Sequence, residues 1–139
     1  MSDRDFLDTN VLVYGLDITY PDKHRIARDL VSRAVAGEFV ISIQVLVEFA
    51  ATLLQKFQSR FVSADVIAIL ESVRPIPLIL PDADMVRRAV EARAAYGVHF
   101  YDGMIIAAAE RAGSGKIWSE DLNTGQKYFG VEVANPFAE

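Results

Sequence analysis

Short β-favouring runs alternate with longer helical patterns along this chain, and that alternation restricts the fold more than any other feature. Asp5–Asp8, Phe39–Ile41, Ile76–Leu80, Lys116–Trp118 and Val131–Val133 read as strands. Asp22–Ala36, Ile43–Phe57, Ser63–Val73, Asp82–Tyr96 and Tyr101–Ala112 carry helical periodicity. Strands separated by helices imply an α/β fold with a parallel sheet, because a parallel partner is reached only through a crossover. The boundary chemistry agrees. Ser42, Ser63 and Asp82 stand where N-caps belong, and Gly37, Gly97 and Gly113 stand where helices stop. Prolines surround Ile76–Leu80 at 75, 77 and 81, so that run reads as a short edge strand or an extended connection.

The 139 residues suit one domain, 1–139, large enough for a sizeable core. With 52% hydrophobic and 24% charged residues the chain lies far from disordered compositions. No repeat, linker or charged tail interrupts it. The first residues show no basic segment followed by an apolar one, and the longest apolar runs are broken by Glu48, Arg74 and Glu110. A cytoplasmic protein without a membrane span is therefore expected.

Cysteine is absent, which excludes disulfides and thiolate metal sites. Any metal must be held by carboxylates, amides or histidines, and oxygen ligands favour a hard cation. A net charge of −5 argues against a broad basic surface for nucleic acid, whose grip comes from counterion release. Carboxylates gathered around a divalent metal would account for much of that excess, and the metal would then face phosphate with positive charge.

In open parallel α/β sheets the segments leaving the carboxyl ends of strands build the ligand crevice, so acids just after strands are the ones to inspect. Asp8 ends the run FL and opens DTNVLVY. It suits an N-cap as well as a crevice carboxylate, with Thr9 and Asn10 beside it as orienting groups. Glu48 lies on a polar stripe of Gln44, Thr52, Gln55 and Lys56 that either faces solvent or lines the crevice. Asp102 opens YDGMIIAAA, with Ile105, Ile106 and Ala109 at helical spacing after it. A carboxylate on that apolar face needs a nearby cation or a place at the rim, since a helix dipole supplies only about 0.3–1 kcal/mol. Asp121 follows the strand KIW in a polar loop, beside Glu120 and Ser119.

His24 and His99 do not form a metal pair, one falling in a surface helix and the other in a loop. Walker A, GxGxxG, GxSxG and HExxH patterns are missing, which removes the common nucleotide, dinucleotide, serine-hydrolase and zinc-protease readings. Phosphotransfer receivers and aspartyl phosphatases fit poorly, because the first want paired acids after the first strand plus a later lysine, and the second want DxD where Asp8-Thr9-Asn10 stands. A non-catalytic interaction domain is the remaining rival. The sequence singles out no lysine or arginine as a phosphate partner.

In order, FLDTNVLVY, a Glu within an apolar helix, YDGMIIAAAERAG and IWSEDLNTGQKYFGVEVANPF resemble the PIN-domain ribonucleases over nearly the whole chain. The C-terminal block resembles the VapC toxins of prokaryotic toxin–antitoxin pairs. The resemblance implies a three-layer α/β/α sandwich around a short, mainly parallel sheet. It also implies an acidic site that binds Mg²⁺ or Mn²⁺ and cleaves RNA. Its acids correspond to Asp8, Glu48, Asp102 and Asp121, and its polar companions to Thr9, Asn10 and Ser119. A cognate antitoxin that blocks the acidic groove and a homodimer are further implications. One departure is Gly103, where a residue such as alanine usually follows the third acid, and this predicts a looser helix start.

Overall fold

The structure is a computed structural model, and it describes residues 3–138. Its order is β1 (Asp5–Leu7), α1 (Thr9–Tyr14), α2 (Pro21–Val35), β2 (Phe39–Ser42), α3 (Ile43–Gln55), α4 (Ser63–Val73), β3 (Leu78–Ile79), α5 (Ala83–Tyr96), α6 (Phe100–Arg111), β4 (Lys116–Trp118), β5 (Lys127–Tyr128) and β6 (Val131–Ala134). The strands form a sheet of order β3-β2-β1-β4-β6-β5, parallel except where β5 meets β6.

From β1 the chain steps outward through β2 to β3, then returns across β1 to place β4 on its other side. Right-handed crossovers put α1 to α4 on one face and α5 and α6 on the other. The packing agrees: α1 packs on α2 and α3, α3 on α4, and α5 closely on α6. The result is a three-layer α/β/α sandwich. Phe6, Leu7, Ile41, Ile106, Ile117 and Val133 are buried between its layers. All four residues of β2 are buried, as a central strand covered on both faces requires. Among the described residues no helix is long and apolar enough to cross a membrane.

Two elements escape the sequence patterns. TNVLVY is rich in β-branched residues, yet it forms α1 because the Asp8 carboxylate accepts the Thr9 N–H at 2.8 Å and the turn buries Val11 and Leu12. The β5–β6 hairpin turns through Phe129 (φ 49°) and Gly130 (φ 84°), both left-handed, as a two-residue primed turn needs. Phe129 tolerates this because its N–H donates to the Tyr96 hydroxyl at 2.9 Å and the Arg88 guanidinium covers its ring at 3.5 Å.

Ser42 and Asp82 cap α3 and α5 as expected, accepting from the N–H groups of Val45 and Met85. Ser63 does not cap α4. Val62 occupies the cap position, and the Asp65 carboxylate accepts its N–H at 2.9 Å. β3 pairs with β2 alone among the described strands and is an edge strand, with β5 at the opposite edge. Gly103 does not loosen α6, which begins one residue before the expected start. A Cβ there would lie 2.6 Å from the Ala89 carbonyl oxygen, so the glycine lets α6 approach α5.

Candidate active site

Strand order reverses at β1 and β4, so the crevice of this sheet lies beyond their carboxyl ends. Leu7 is in register with Trp118, and the Asp8 N–H donates to the Trp118 carbonyl at 3.1 Å. The residues immediately after both strands, Asp8 and Ser119, are thereby placed side by side. Asp8 is 8% exposed and Ser119 fully buried.

A compact network follows from that pairing. The Ser119 hydroxyl donates to Asp8 Oδ2 at 2.7 Å and accepts the N–H groups of Asp121 at 3.1 Å and Leu122 at 3.4 Å. The Asn10 amide, on the first turn of α1, donates to Ser119 Oγ and to Asp121 Oδ2, each at 3.2 Å, and lies 3.5 Å from Asp8 Oδ2. Its carbonyl accepts the Glu120 N–H at 3.1 Å, fixing the loop after β4. Thr9 reaches the other way, its hydroxyl donating to Glu48 Oε1 at 3.3 Å.

Glu48 stands on α3 within this crevice rather than on a solvent-facing stripe. Gln44, one turn earlier, donates to Glu48 Oε1 at 3.3 Å, and Thr52, one turn later, donates to the Glu48 carbonyl at 2.7 Å. Glu48, Thr52 and Lys56 line a crevice of about 340 Å³ together with Thr9, Asn10, Tyr14, Tyr20, Glu120 and Asp121. Gln55, counted on the same stripe from spacing, is exposed outside it. Asp102 takes the rim position: it is exposed in the first turn of α6, outside the crevice wall.

Electrostatics ties these acids together. Burial first, then the nearby Asp121 and Glu48 charges, push the Asp8 carboxyl up from 3.8 to about 6, although bonds from Ser119 and Thr9 oppose the shift. Partial burial and the Asp121 charge also raise Asp102, against the pull of His99. No ion pair among the described residues involves Asp8, Glu48, Asp102 or Asp121. The chain thus gathers carboxylates without giving them a cation.

As the side chains stand, no three His, Asp or Glu groups among the described residues converge closely enough to hold one metal ion. The donor set still suits a hard cation that keeps several waters and needs only one or two carboxylates, as Mg²⁺ does. Cysteine thiolates are absent from the sequence. His24 binds the Tyr14 carbonyl at 2.9 Å, and His99 caps α6 by accepting the Tyr101 N–H at 3.3 Å, so both histidines serve local structure.

One group escaped sequence reasoning. Glu120 accepts from the Tyr14 hydroxyl at 2.7 Å and pairs with Lys23 at 2.5 Å. Burial alone would raise the Glu120 carboxyl, but Lys23 and Tyr14 hold it below its usual range. The three residues come from α1, α2 and the loop after β4, and no sequence spacing connects them.

A model of the PIN domain matches residues 6–129, and the chain belongs to that family. Its fold is shared with a chain of a toxin–antitoxin complex from Klebsiella pneumoniae, at TM-score 0.70 and 18% identity, over 95% of this chain and 97% of that one. It is shared also with VapC20 of Mycobacterium tuberculosis, a sarcin–ricin loop cleaving toxin, at TM-score 0.64 and 18% identity, over 84% and 90%. No curated protein matches the chain.

Proposed function

We propose that this protein is a VapC-like toxin: a single PIN-like domain over 1–139 that hydrolyses RNA phosphodiester bonds with the help of Mg²⁺ or Mn²⁺. The observation that carries the reading is Asp8, a nearly buried carboxylate surrounded by like charges and lacking an ion-pair partner. Such a group destabilises the fold unless a cation joins it. The similarity of the fold to a chain of a toxin–antitoxin complex and to a sarcin–ricin loop cleaving toxin supports the same reading.

In this reading Asp8 and Asp102 are direct metal ligands, Asp121 a second or water-mediated ligand, and Glu48 a ligand or water-orienting group. A divalent metal supplies Lewis-acid polarisation and a bound water of lowered pKa. Ser119 holds Asp8 in one orientation by its 2.7 Å bond. Asn10 keeps Asp121 beside it, and Thr9 and Gln44 fix the Glu48 carboxylate over the crevice. These orienting bonds hold like charges in place before substrate arrives.

A cognate antitoxin fits the same acidic crevice if it brings a basic segment, so inhibition and catalysis share residues. A homodimer is supported by apolar exposure on α3, the β3 edge and α5, where Val47, Leu78, Leu80, Val86 and Val90 stand in water. Location in the cytoplasm follows from the same reading.

The test is cleavage of a labelled structured-RNA pool with Mg²⁺ or Mn²⁺, comparing wild type with Asp8→Asn, Asp102→Asn and an EDTA control. The expected result is metal-dependent cutting that both substitutions reduce by at least about 100-fold. Confirmed metal binding with no cutting of any pool would leave a binding module instead.

A further inference from the structure

A second cavity, of about 230 Å³, lies behind the acidic crevice. The short helix α1 separates the two: Thr9, Asn10 and Tyr14 line the crevice, whereas Leu12, Gly15 and Leu16 line the cavity. Leu12, Phe49 and Val73, all buried, make its floor, and half-buried Leu16, Val31 and Ile69 make its walls. The space exists because α2 rests on α1 and α4 rests on α3, which leaves a gap between α2 and α4. At Gly15 the wall carries no side chain, and a Cβ there would stand 3.4 Å from Val31 Cγ2 and narrow the cavity.

The polar groups open to a ligand gather on α2. Arg28 and Ser32 stand one turn apart at the rim, while the Ser72 hydroxyl on α4 donates to the Ile69 carbonyl at 2.6 Å. Arg25 and Arg33, to either side of Arg28, pair with Asp22, Asp29 and Glu38, and Glu71 on α4 pairs with Arg74. Arg28 has no ion pair among the described residues. On a chain of net charge −5, a cation left over beside an apolar cavity fits an anion with an apolar body. Size sets that body. A cavity of about 150 Å³ lined by Leu, Ile and Phe takes benzene, so this larger one takes two fused rings or one ring with a short chain. Charge sets the head group: a carboxylate brings one charge to one arginine and meets its planar fork, whereas a phosphate ester brings nearly two.

We propose that this cavity binds a small amphipathic carboxylate, its ring seated on Leu12, Phe49 and Val73 and its carboxylate held by Arg28 and Ser32. The site goes beyond the nuclease reading and does not rest on it, because no acid of the crevice takes part. The test uses the full chain and a matched pair of probes, 2-naphthoate and the neutral 2-naphthamide, titrated while the methyl resonances of Leu, Val and Ile are followed by NMR. The expected result is saturable binding of 2-naphthoate with shifts at Leu12, Val31 and Ile69. The amide should bind about tenfold more weakly, for want of the charge-assisted bond. Arg28→Gln should bring the acid down to the level of the amide while leaving the amide within about twofold of its wild-type affinity. Ser72→Trp, which fills the cavity from the α4 side, should weaken both probes by at least about tenfold.

Arg28 and Ser72 are exposed, so both variants should melt with wild type. If Ser72→Trp melts early, the acid-to-amide ratio in Arg28→Gln still decides. Equal affinity for acid and amide, a ratio that Arg28→Gln leaves unchanged, shifts confined to Val47, Val86 and Val90, or no binding of either probe would overturn the proposal. Self-association that 2-naphthoate reverses would also overturn it, by assigning the cavity to a second copy of the chain.

Discussion

Glu120 and Asp121 are neighbours in sequence and opposites in circumstance. Glu120 turns toward α1 and α2, where Lys23 and Tyr14 satisfy it and hold its carboxyl below the usual range. Asp121 turns inward to the Asn10 amide and adds its charge to those already raising Asp8 and Asp102. One acid closes an ion pair on the crevice wall, and the other deepens an uncompensated negative field. The lesson is that an acid's place after a strand says less than whether the fold supplies it with a cation.

The sharpest way to break this contrast is to remove neutral supports from one side and a charge from the other. Ser119→Ala and Asn10→Ala delete the bonds that orient Asp8 and Asp121, and each is expected to weaken Mg²⁺ or Mn²⁺ binding by about 10–100-fold. Glu120→Gln removes a full charge one residue away, yet should change metal affinity by less than about threefold, since that charge is already neutralised by Lys23. Calorimetric titration of the variants with Mn²⁺ reads both effects. Equal losses in Glu120→Gln and Ser119→Ala would show that the two acids serve one site.

Protonation gives the next largest effect. Between pH 3.8 and about 6 the folded protein keeps a proton on Asp8 that the unfolded chain has released. The contribution of Asp8 to metal-free stability is therefore fullest below that window and is lost as pH rises through it, by up to about 3 kcal/mol, at 1.36 kcal/mol per pK unit. Asp102, also raised, acts in the same direction. Denaturant unfolding at pH 4.5 and pH 7 in EDTA should show the decline, and Asp8→Asn should flatten it. Saturating Mg²⁺ should offset it at pH 7, because the ion binds the deprotonated crevice of the folded state. Stability that rises between those pH values in EDTA would contradict the uncompensated burial of Asp8.

The outline of this fold was legible because parallel strands and their helices differ in period, so Phe39–Ile41 and Lys116–Trp118 stand out as short apolar runs between helical patterns. α1 was not legible, since Val11 and Val13 favour strands and the helix depends on the Asp8 cap. The β5–β6 turn was hidden for a related reason: Phe-Gly is not a usual primed-turn pair, and its support comes from Tyr96 and Arg88, distant in sequence. For the crevice, sequence order and family resemblance pointed to the acids, and the topology placed Asp8 and Ser119 side by side. What sequence could not supply is Asn10 reaching Ser119, Glu120 and Asp121 across the chain, or which of two adjacent acids meets Lys23. Those depend on register between β1 and β4 and on the docking of α2, neither of which any local pattern encodes.

The smallest expected effect lies on the satisfied side. Lys23 Nζ sits 5.0 Å from the Tyr14 ring centroid and 5.4 Å from that of Tyr20, while pairing with Glu120. Its side chain keeps about a third of its exposure, so solvent screens the pair and Lys23→Ala should lower the melting temperature only slightly. Its consequence for the crevice should be qualitative: Glu120 then stands unpaired one residue from Asp121, and the two acids come to resemble each other. Asp8 should then titrate higher still, extending the pH-dependent loss of metal-free stability upward. An unchanged pH profile in Lys23→Ala would mean that Tyr14 alone insulates Glu120 from the rest of the acids.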